Sequence, residues 1–334
     1  MKIALVRLSS LGDIILGMAS LQIIRRALPD CRITWVADRR FADILENSPD
    51  LEQVVRLDLK GLKKQFSLAA LVEEYRQLRS SGPFDLVIDL HGMIKSAVTA
   101  RLMGGPCRGF DRLSLKEPLA TLLYRQSYPV PLEQPAASRY ASLICQSLGL
   151  AQPDAAAAAT RPFLFSREQD LSASAEFFSN DRRNIIFVPE TSAANKNYPP
   201  DRFARLAAEL GENIMVCHGN QQELQTAETI AARSANVRVL PRLNLNQLKA
   251  AVGRADLVIG GDSGPTHIAW GCGTPSITLF GATPVCFQPT AINRVIKTAS
   301  AVNYRKPDVT DLSIRGIEVE EIAALAAALL EQGR

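Results

Sequence analysis

The sequence predicts an α/β protein of two consecutive doubly wound domains, each a parallel sheet with helices on both faces. Three observations predict it. Short β-rich apolar runs alternate with segments of helical spacing, the pattern of a βαβ series. The alternation breaks at 151–162, where Pro153, an alanine run at 155–159 and Pro162 suit a linker, and then restarts. At 334 residues the chain is too long for one ordinary core and suits two.

In the first half, 2–8, 33–37, 53–57 and 85–90 read as strands, and 14–28 and 68–79 as helices. In the second half strands fall at 184–188, 214–217, 237–240, 257–260 and 276–280. The closing helix, 319–330, opens on Glu318, Glu320 and Glu321, which suit the positive end of a helix. The expected boundaries are 1–155 for an N-terminal domain, 156–182 for a linker region and 183–334 for a C-terminal domain, whose last helix packs back on the first. In such folds ligands bind beyond the C-terminal ends of the strands, so the two domains are expected to face a central cleft.

Composition narrows the function. A net charge of +4 argues against an extended nucleic-acid surface and leaves room for a local basic patch facing phosphates. The six cysteines show no C-x-x-C pairing and sit mostly in apolar segments, as free thiols of a reducing compartment do. Arg7 and Asp13 interrupt any signal-peptide core. Residues 263–293 lack Lys, Arg, Asp and Glu, yet four prolines and four glycines there exclude a spanning helix. A cytoplasmic protein with at most peripheral membrane contact is expected.

The densest motif is Gly260-Gly261-Asp262-Ser263-Gly264-Pro265-Thr266-His267, between an apolar run and a helix. A strand-to-helix turn of this kind points N–H groups and a positive helix end at a crevice, where an anion fits. A second turn, Ser9-Ser10-Leu11-Gly12-Asp13, follows the first strand and lacks G-x-G-x-x-G. Asp13 there is either a helix cap or a general base. A third, Asp89-Leu90-His91-Gly92-Met93-Ile94-Lys95, places Lys95 in a first helical turn, against the macrodipole, as an anion-facing lysine would be. A lone histidine such as His91 is usually structural. In the second half Thr191 and Ser192 offer hydroxyls and Lys196 an ammonium suited to a diphosphate, in a stretch that equally reads as a polar loop. Glu223 follows His218-Gly219-Asn220 as an ordinary first-turn carboxylate. Lys60, Lys63, Lys64, Arg108, Arg112, Lys116 and Arg125 form a basic group that is either a solvated surface or an anion-binding one.

The D-S-G-x-x-H loop resembles the donor-binding signature of the ADP-heptose glycosyltransferases, glycosyltransferase family 9. S-x-x-G-D at 9–13, D-x-x-G-x-x-K-S at 89–96 and K-E-P-L-A-x-L-x-Y at 116–124 are similar to segments of the same family, the last two most of all to its type I lipopolysaccharide enzymes. The resemblance implies a GT-B fold of two Rossmann-like domains, with the acceptor on the first and the nucleotide sugar on the second. It implies inverting transfer of L-glycero-D-manno-heptose from ADP-heptose to a Kdo residue of Kdo–lipid A at the cytoplasmic face of the inner membrane, with no cofactor and no metal. Asp13 would be the base, and Lys196 would support the departing ADP. Donor contacts would fall on Thr191, Ser192, Lys196, Glu223, Asp262, Ser263, Gly264, Pro265, Thr266 and His267. Acceptor contacts would fall on Ser10, Gly12, Lys60, Lys63, Lys64, Lys95, Lys116 and Arg139. The type I enzymes commonly have glutamine where His91 stands, and the family usually has tryptophan where Tyr198 stands. Type II enzymes with another core acceptor, or a non-catalytic nucleotide-sugar-binding module, are the alternatives.

Overall fold

The strand β1 (Lys2–Val6) reads Ile-Ala-Leu-Val after its first residue, and those four side chains are fully buried, as a strand covered on both faces requires. The structure is a computed structural model that describes residues 1–64, 67–152, 161–304 and 308–332, with the backbone alone for 62–64. The side chains of Lys63 and Lys64 therefore lie outside the described residues. By contacts the chain divides into two compact units, 1–163 with 286–288, and 164–285 with 289–334.

The first unit continues with α1 (Leu11–Met18), α2 (Leu21–Ala27), β2 (Arg32–Asp38), β3 (Gln53–Leu57), α3 (Leu59–Lys64) and α4 (Leu68–Ser80). Then come β4 (Leu86–Asp89), α5 (Ile94–Leu102), β5 (Cys107–Phe110), a 3-10 turn at Pro118–Leu123, β6 (Gln126–Tyr128) and α6 (Ala136–Leu148). The sheet order is β3-β2-β1-β4-β5-β6, all parallel. The chain winds outward from β1 to β3 and crosses back to the other side of β1 at β4. Right-handed crossovers put α4 and α5 on one face and α1 and α2 on the other; α6 packs against α1 and α2.

The second unit repeats the plan with β7 (Asn184–Val188), α7 (Pro200–Leu210), β8 (Asn213–Val216), α8 (Gln221–Ala231), β9 (Val237–Val239) and α9 (Leu245–Arg254). After these follow β10 (Leu257–Gly261), α10 (Gly264–Cys272), β11 (Ser276–Phe280), β12 (Asn293–Lys297) and α11 (Val319–Gln332). Its parallel order is β12-β11-β10-β7-β8-β9, so the reversal falls between β7 and β10. Ligands of such sheets bind beyond the strand ends at that reversal.

Several expectations change in detail. The helix expected at 14–28 begins at Leu11 and is divided near Ser20, whose backbone starts α2. The strands β5, β6 and β12 were not foreseen: they are short, and glycine, serine or charged residues interrupt their apolar runs. Within the expected linker, 164–182 groups with the second unit, where Arg238 and Arg254 lie over the rings of Phe177 and Phe178. The last helix was expected on the first domain. Its apolar stripe, Val319, Ile322, Ala323, Ala326 and Leu329, is instead part of the second unit's core, against α7, β10 and β11. Among the described residues no helix is long and apolar enough to cross a membrane.

Candidate active site

In each unit a charged cluster stands where the sheet order reverses. In the first, Arg7 prolongs β1 and Asp13 lies in the first turn of α1. Asp13 Oδ2 pairs with Arg7 Nη2 at 2.7 Å and accepts from Ser10 Oγ at 2.8 Å and Ser10 N at 3.3 Å. Its Oδ1 accepts from the Tyr140 hydroxyl of α6 at 3.0 Å. This carboxylate ties down the N-terminus of α1 through Ser10, while a third of its side chain (33%) remains open to solvent. Burial pushes this carboxyl up, but the Arg7 charge and the hydrogen bonds from Ser10 and Tyr140 outweigh it and hold it at about 2. Arg7 is itself fixed by Leu90 O at 3.1 Å and His91 O at 3.4 Å, with its guanidinium 5.2 Å from the Tyr140 ring.

The loop after β4 supports this cluster. His91 Nδ1 accepts from Leu8 N at 3.2 Å, which joins the two strand ends on either side of the reversal. Burial, then the charges of Arg7 and Lys95, lower its pKa to about 3, so the ring is neutral and structural. Asp89 is fully buried and accepts from His91 N, Gly92 N, Ser96 Oγ and Tyr124 Oη, all within 2.8–3.2 Å. Gly92 sits at φ 72°, the left-handed region, with Leu115 packed where a Cβ would stand.

In the second unit, Lys196 Nζ pairs with Asp262 Oδ2, and His267 Nε2 lies 3.2 Å from Asp262 Oδ1. Burial raises the Asp262 carboxyl, yet the hydrogen bond from His267 and the charge of Lys196 hold it well below the usual carboxylate range. Glycines make this geometry accessible. A Cβ on Gly260 would stand 2.5 Å from Val188 Cβ and O, and one on Gly261 would strike Lys196 O. The loop after β7 can therefore lie directly against the end of β10. That loop is knotted by its own bonds: Thr191 N and Oγ1 both donate to Asn197 Oδ1, at 2.8 and 2.9 Å. The Thr266 hydroxyl donates within the turn to Gly261 O and Ser263 O, both at 2.9 Å. Pro265 occupies the first turn of α10, where its missing N–H costs nothing.

The remaining expected residues distribute unevenly. Gly12 shares the first turn of α1 with Asp13, and Ser10 precedes it. Arg139, beside Tyr140 on α6, donates to Ser114 O at 2.7 Å with its guanidinium 5.0 Å from the Phe110 ring. Burial, with help from Arg7, lowers its pKa. Lys95 is exposed at the start of α5, and Lys60 and Lys116 are exposed too. Ser192 is exposed, while Glu223 is turned back on its own helix end, accepting from Gly219 N at 2.6 Å and Asn220 Nδ2 at 2.5 Å. Tyr198 is buried and donates to Ile317 O at 2.8 Å, packed edge-on against Phe203. Arg7 and Tyr140 were missed as site residues. A cation directly after a fully buried strand is a usable signal for Arg7; Tyr140 lies on α6, far along the chain, and carries none.

Comparisons with known proteins place the chain in a family. Residues 73–315 match the family model of glycosyltransferase family 9 (heptosyltransferase). A lipopolysaccharide heptosyltransferase 1 of Campylobacter coli is 34% identical, with 98% of this chain and 99% of that protein covered. One of Pseudomonas aeruginosa is 31% identical, with 85% and 79% covered. Among solved structures, a family 9 glycosyltransferase of Veillonella parvula superposes with a TM-score of 0.83 at 24% identity, covering 99% of this chain and 97% of that one. An Escherichia coli heptosyltransferase solved with ADP superposes at 0.79 and 23% identity, covering 98% and 100%. Both likenesses concern the fold, which is of GT-B type. The chain is a glycosyltransferase and belongs to family 9, the heptosyltransferase family.

Proposed function

We propose that this protein transfers L-glycero-D-manno-heptose from ADP-heptose to a Kdo residue of Kdo–lipid A in assembly of the lipopolysaccharide inner core, with inversion at the anomeric carbon. The observation that carries the reading is near full-length similarity to lipopolysaccharide heptosyltransferases 1, coinciding with a charge-paired aspartate at the reversal point of each sheet. The first unit holds the acceptor and the second the donor. The acceptor hydroxyl oxygen attacks the anomeric carbon as the bond to the ADP oxygen breaks, and the hydroxyl proton passes to the Asp13 carboxylate. A carboxylate held at about 2 is a weak base, so it takes the proton late, as the hydroxyl becomes acidic in the transition state.

On the donor side the diphosphate meets Lys196, the hydroxyls of Thr191 and Ser192, and the N-terminus of α10, which together stabilise the leaving charge without a metal. Asp262, being anionic, acts through Lys196 and His267, which it holds in place. Lys95, Lys116 and Arg139 suit the carboxylates and phosphates of the acceptor. The enzyme then works at the cytoplasmic face of the inner membrane. Purified protein with ADP-heptose should convert Kdo–lipid A, leave heptosyl–Kdo–lipid A unchanged, and retain its rate in excess chelator. Preference for the heptosylated acceptor would assign a type II reaction, and loss of activity that a divalent cation restores would overturn the metal-free donor site.

A further inference from the structure

On α4, Leu68, Leu71, Val72 and Tyr75 recur at i, i+3, i+4 and i+7, the stripe by which an amphipathic helix packs on a core. Here the stripe is exposed, and Leu78 is the buried residue of the helix. The neighbouring helix α5 repeats the pattern with Ile94, Val98 and Leu102, all exposed. Beside α5, the 3-10 turn at Pro118–Leu123 presents Leu119 and Leu122, 66% and 80% exposed. These elements adjoin one another in one helical layer of the first unit. The opposite layer of α1, α2 and α6 exposes no large apolar side chain among the described residues. An apolar surface of this extent on one face marks an interaction site.

Charge indicates the occupant. Lys95 and Arg101 on α5, and Arg112 and Lys116 before the 3-10 turn, are exposed and have no salt-bridge partner among the described residues. The acids nearby are engaged: Glu117 accepts from Ile94 N at 2.8 Å, Asp111 accepts from Ser114 N and Oγ, and on α4 Glu73 pairs with Arg76 and Glu74 accepts from Asp58 N. Unpaired cations edging an exposed leucine-rich face complement an anionic lipid surface, with the apolar stripes at the acyl boundary and the cations on phosphates. We propose that α4, α5 and the 118–123 turn form a face that docks into an anionic bilayer. The face begins where α5 leaves the Asp89–Gly92 loop, next to Arg7 and Asp13, so docking would bring the head groups of the bilayer to that cluster. The proposal extends the functional reading above, and rests on it for the acceptor being lipid-borne.

Sedimentation with vesicles of phosphatidylcholine, alone or mixed with phosphatidylglycerol, tests it. The intact protein should pellet with the mixed vesicles, and a Leu119→Gln/Leu122→Gln variant should bind them about tenfold or more weakly, since two leucines no longer leave water. Both leucines are exposed, so its thermal midpoint should match that of the parent. In a Leu122→Trp variant, emission should shift to the blue on adding mixed vesicles, against the background of buried Trp35 and Trp270. The glutamine variant should transfer heptose normally to an acyl-free core acceptor and poorly to the same acceptor embedded in vesicles. Binding by the glutamine variant equal to the parent, an unshifted emission from the Leu122→Trp variant, or a parent that stays in solution with every vesicle overturns the proposal. So does a lipid-free dimer that the glutamine substitutions dissociate, which would make the face a contact between two copies. A parent that binds mixed vesicles but transfers no heptose refutes the transferase substrate and not the docking face.

Discussion

Asp13 illustrates how much one side chain draws from its surroundings. Its charge is secured by Arg7, its position by Ser10 and Tyr140, and its accessibility by the third of its side chain that stays open. Asp13→Asn keeps the shape and much of the capping while removing basicity, so turnover in the transfer assay should fall by about 10²–10⁴-fold with the thermal transition preserved. Turnover near that of the parent would leave Asp13 only its cap. Arg7→Met removes the main force that lowers the Asp13 pKa, while the burial that raises it remains. A base works when unprotonated, so the acid limb of kcat/KM against pH should move upward from about 2 into the accessible range. An unmoved limb would show that Arg7 does not tune the carboxylate.

Secondary elements position these groups by where they end. Each cluster is assembled from the loops after two adjacent parallel strands, β1 with β4 and β7 with β10, and the pairing of those strands sets the distance between the loops. In the second unit the approach is closer than a side chain allows, hence the glycines at the end of β10. Gly260→Ala would drive a methyl into Val188 Cβ and O, both 2.5 Å away and one of them backbone. The loss should be about 1–3 kcal/mol in a urea titration, with weaker ADP binding because the loop carrying Lys196 is displaced. Unchanged stability and unchanged ADP affinity would mean that the two strand ends do not need this contact. Elsewhere the elements obey local rules: Asn220 and Asn244 cap α8 and α9, and glycines at positive φ end α6, α7 and α10.

For the chain as one molecule, the two clusters make stability depend on pH. Asp13 and Asp262 have pKa values below the ordinary 3.8, so their stabilisation is full above that value and is lost as pH falls towards about 2 for Asp13 and further for Asp262. Asp89 works in the opposite sense: burial raises its pKa, so its contribution is greatest in acid and declines as it ionises. Urea midpoints should therefore drop between about pH 4 and 2, and the Asp13→Asn variant should lose less over that interval than the parent. Parallel curves for the two proteins would place the acid sensitivity elsewhere.

Two sheets, their order along the chain and most of their strands were legible in the sequence, because a parallel strand buried on both faces must be an unbroken apolar run and its crossover helix must show a 3.6-residue period. Family membership was legible for a related reason. The loops at 9–13, 89–96 and 260–267 carry their chemistry contiguously, in residue types that a strand-to-helix turn demands. Short edge strands such as β6 were not legible, since three residues bury too little to leave a pattern. Nor was the packing of the last helix, because an apolar stripe states that a partner exists and not which one. Tyr140 reaches Asp13 across 127 positions, and Lys196 reaches Asp262 across 66. Those pairings add to the charge of Arg7 and the hydrogen bond of His267 in holding both aspartates ionised, and no local spacing encodes them. The tertiary structure alone decided them, because strands distant in sequence must lie side by side to close each sheet, and only then do the charges beyond their ends meet.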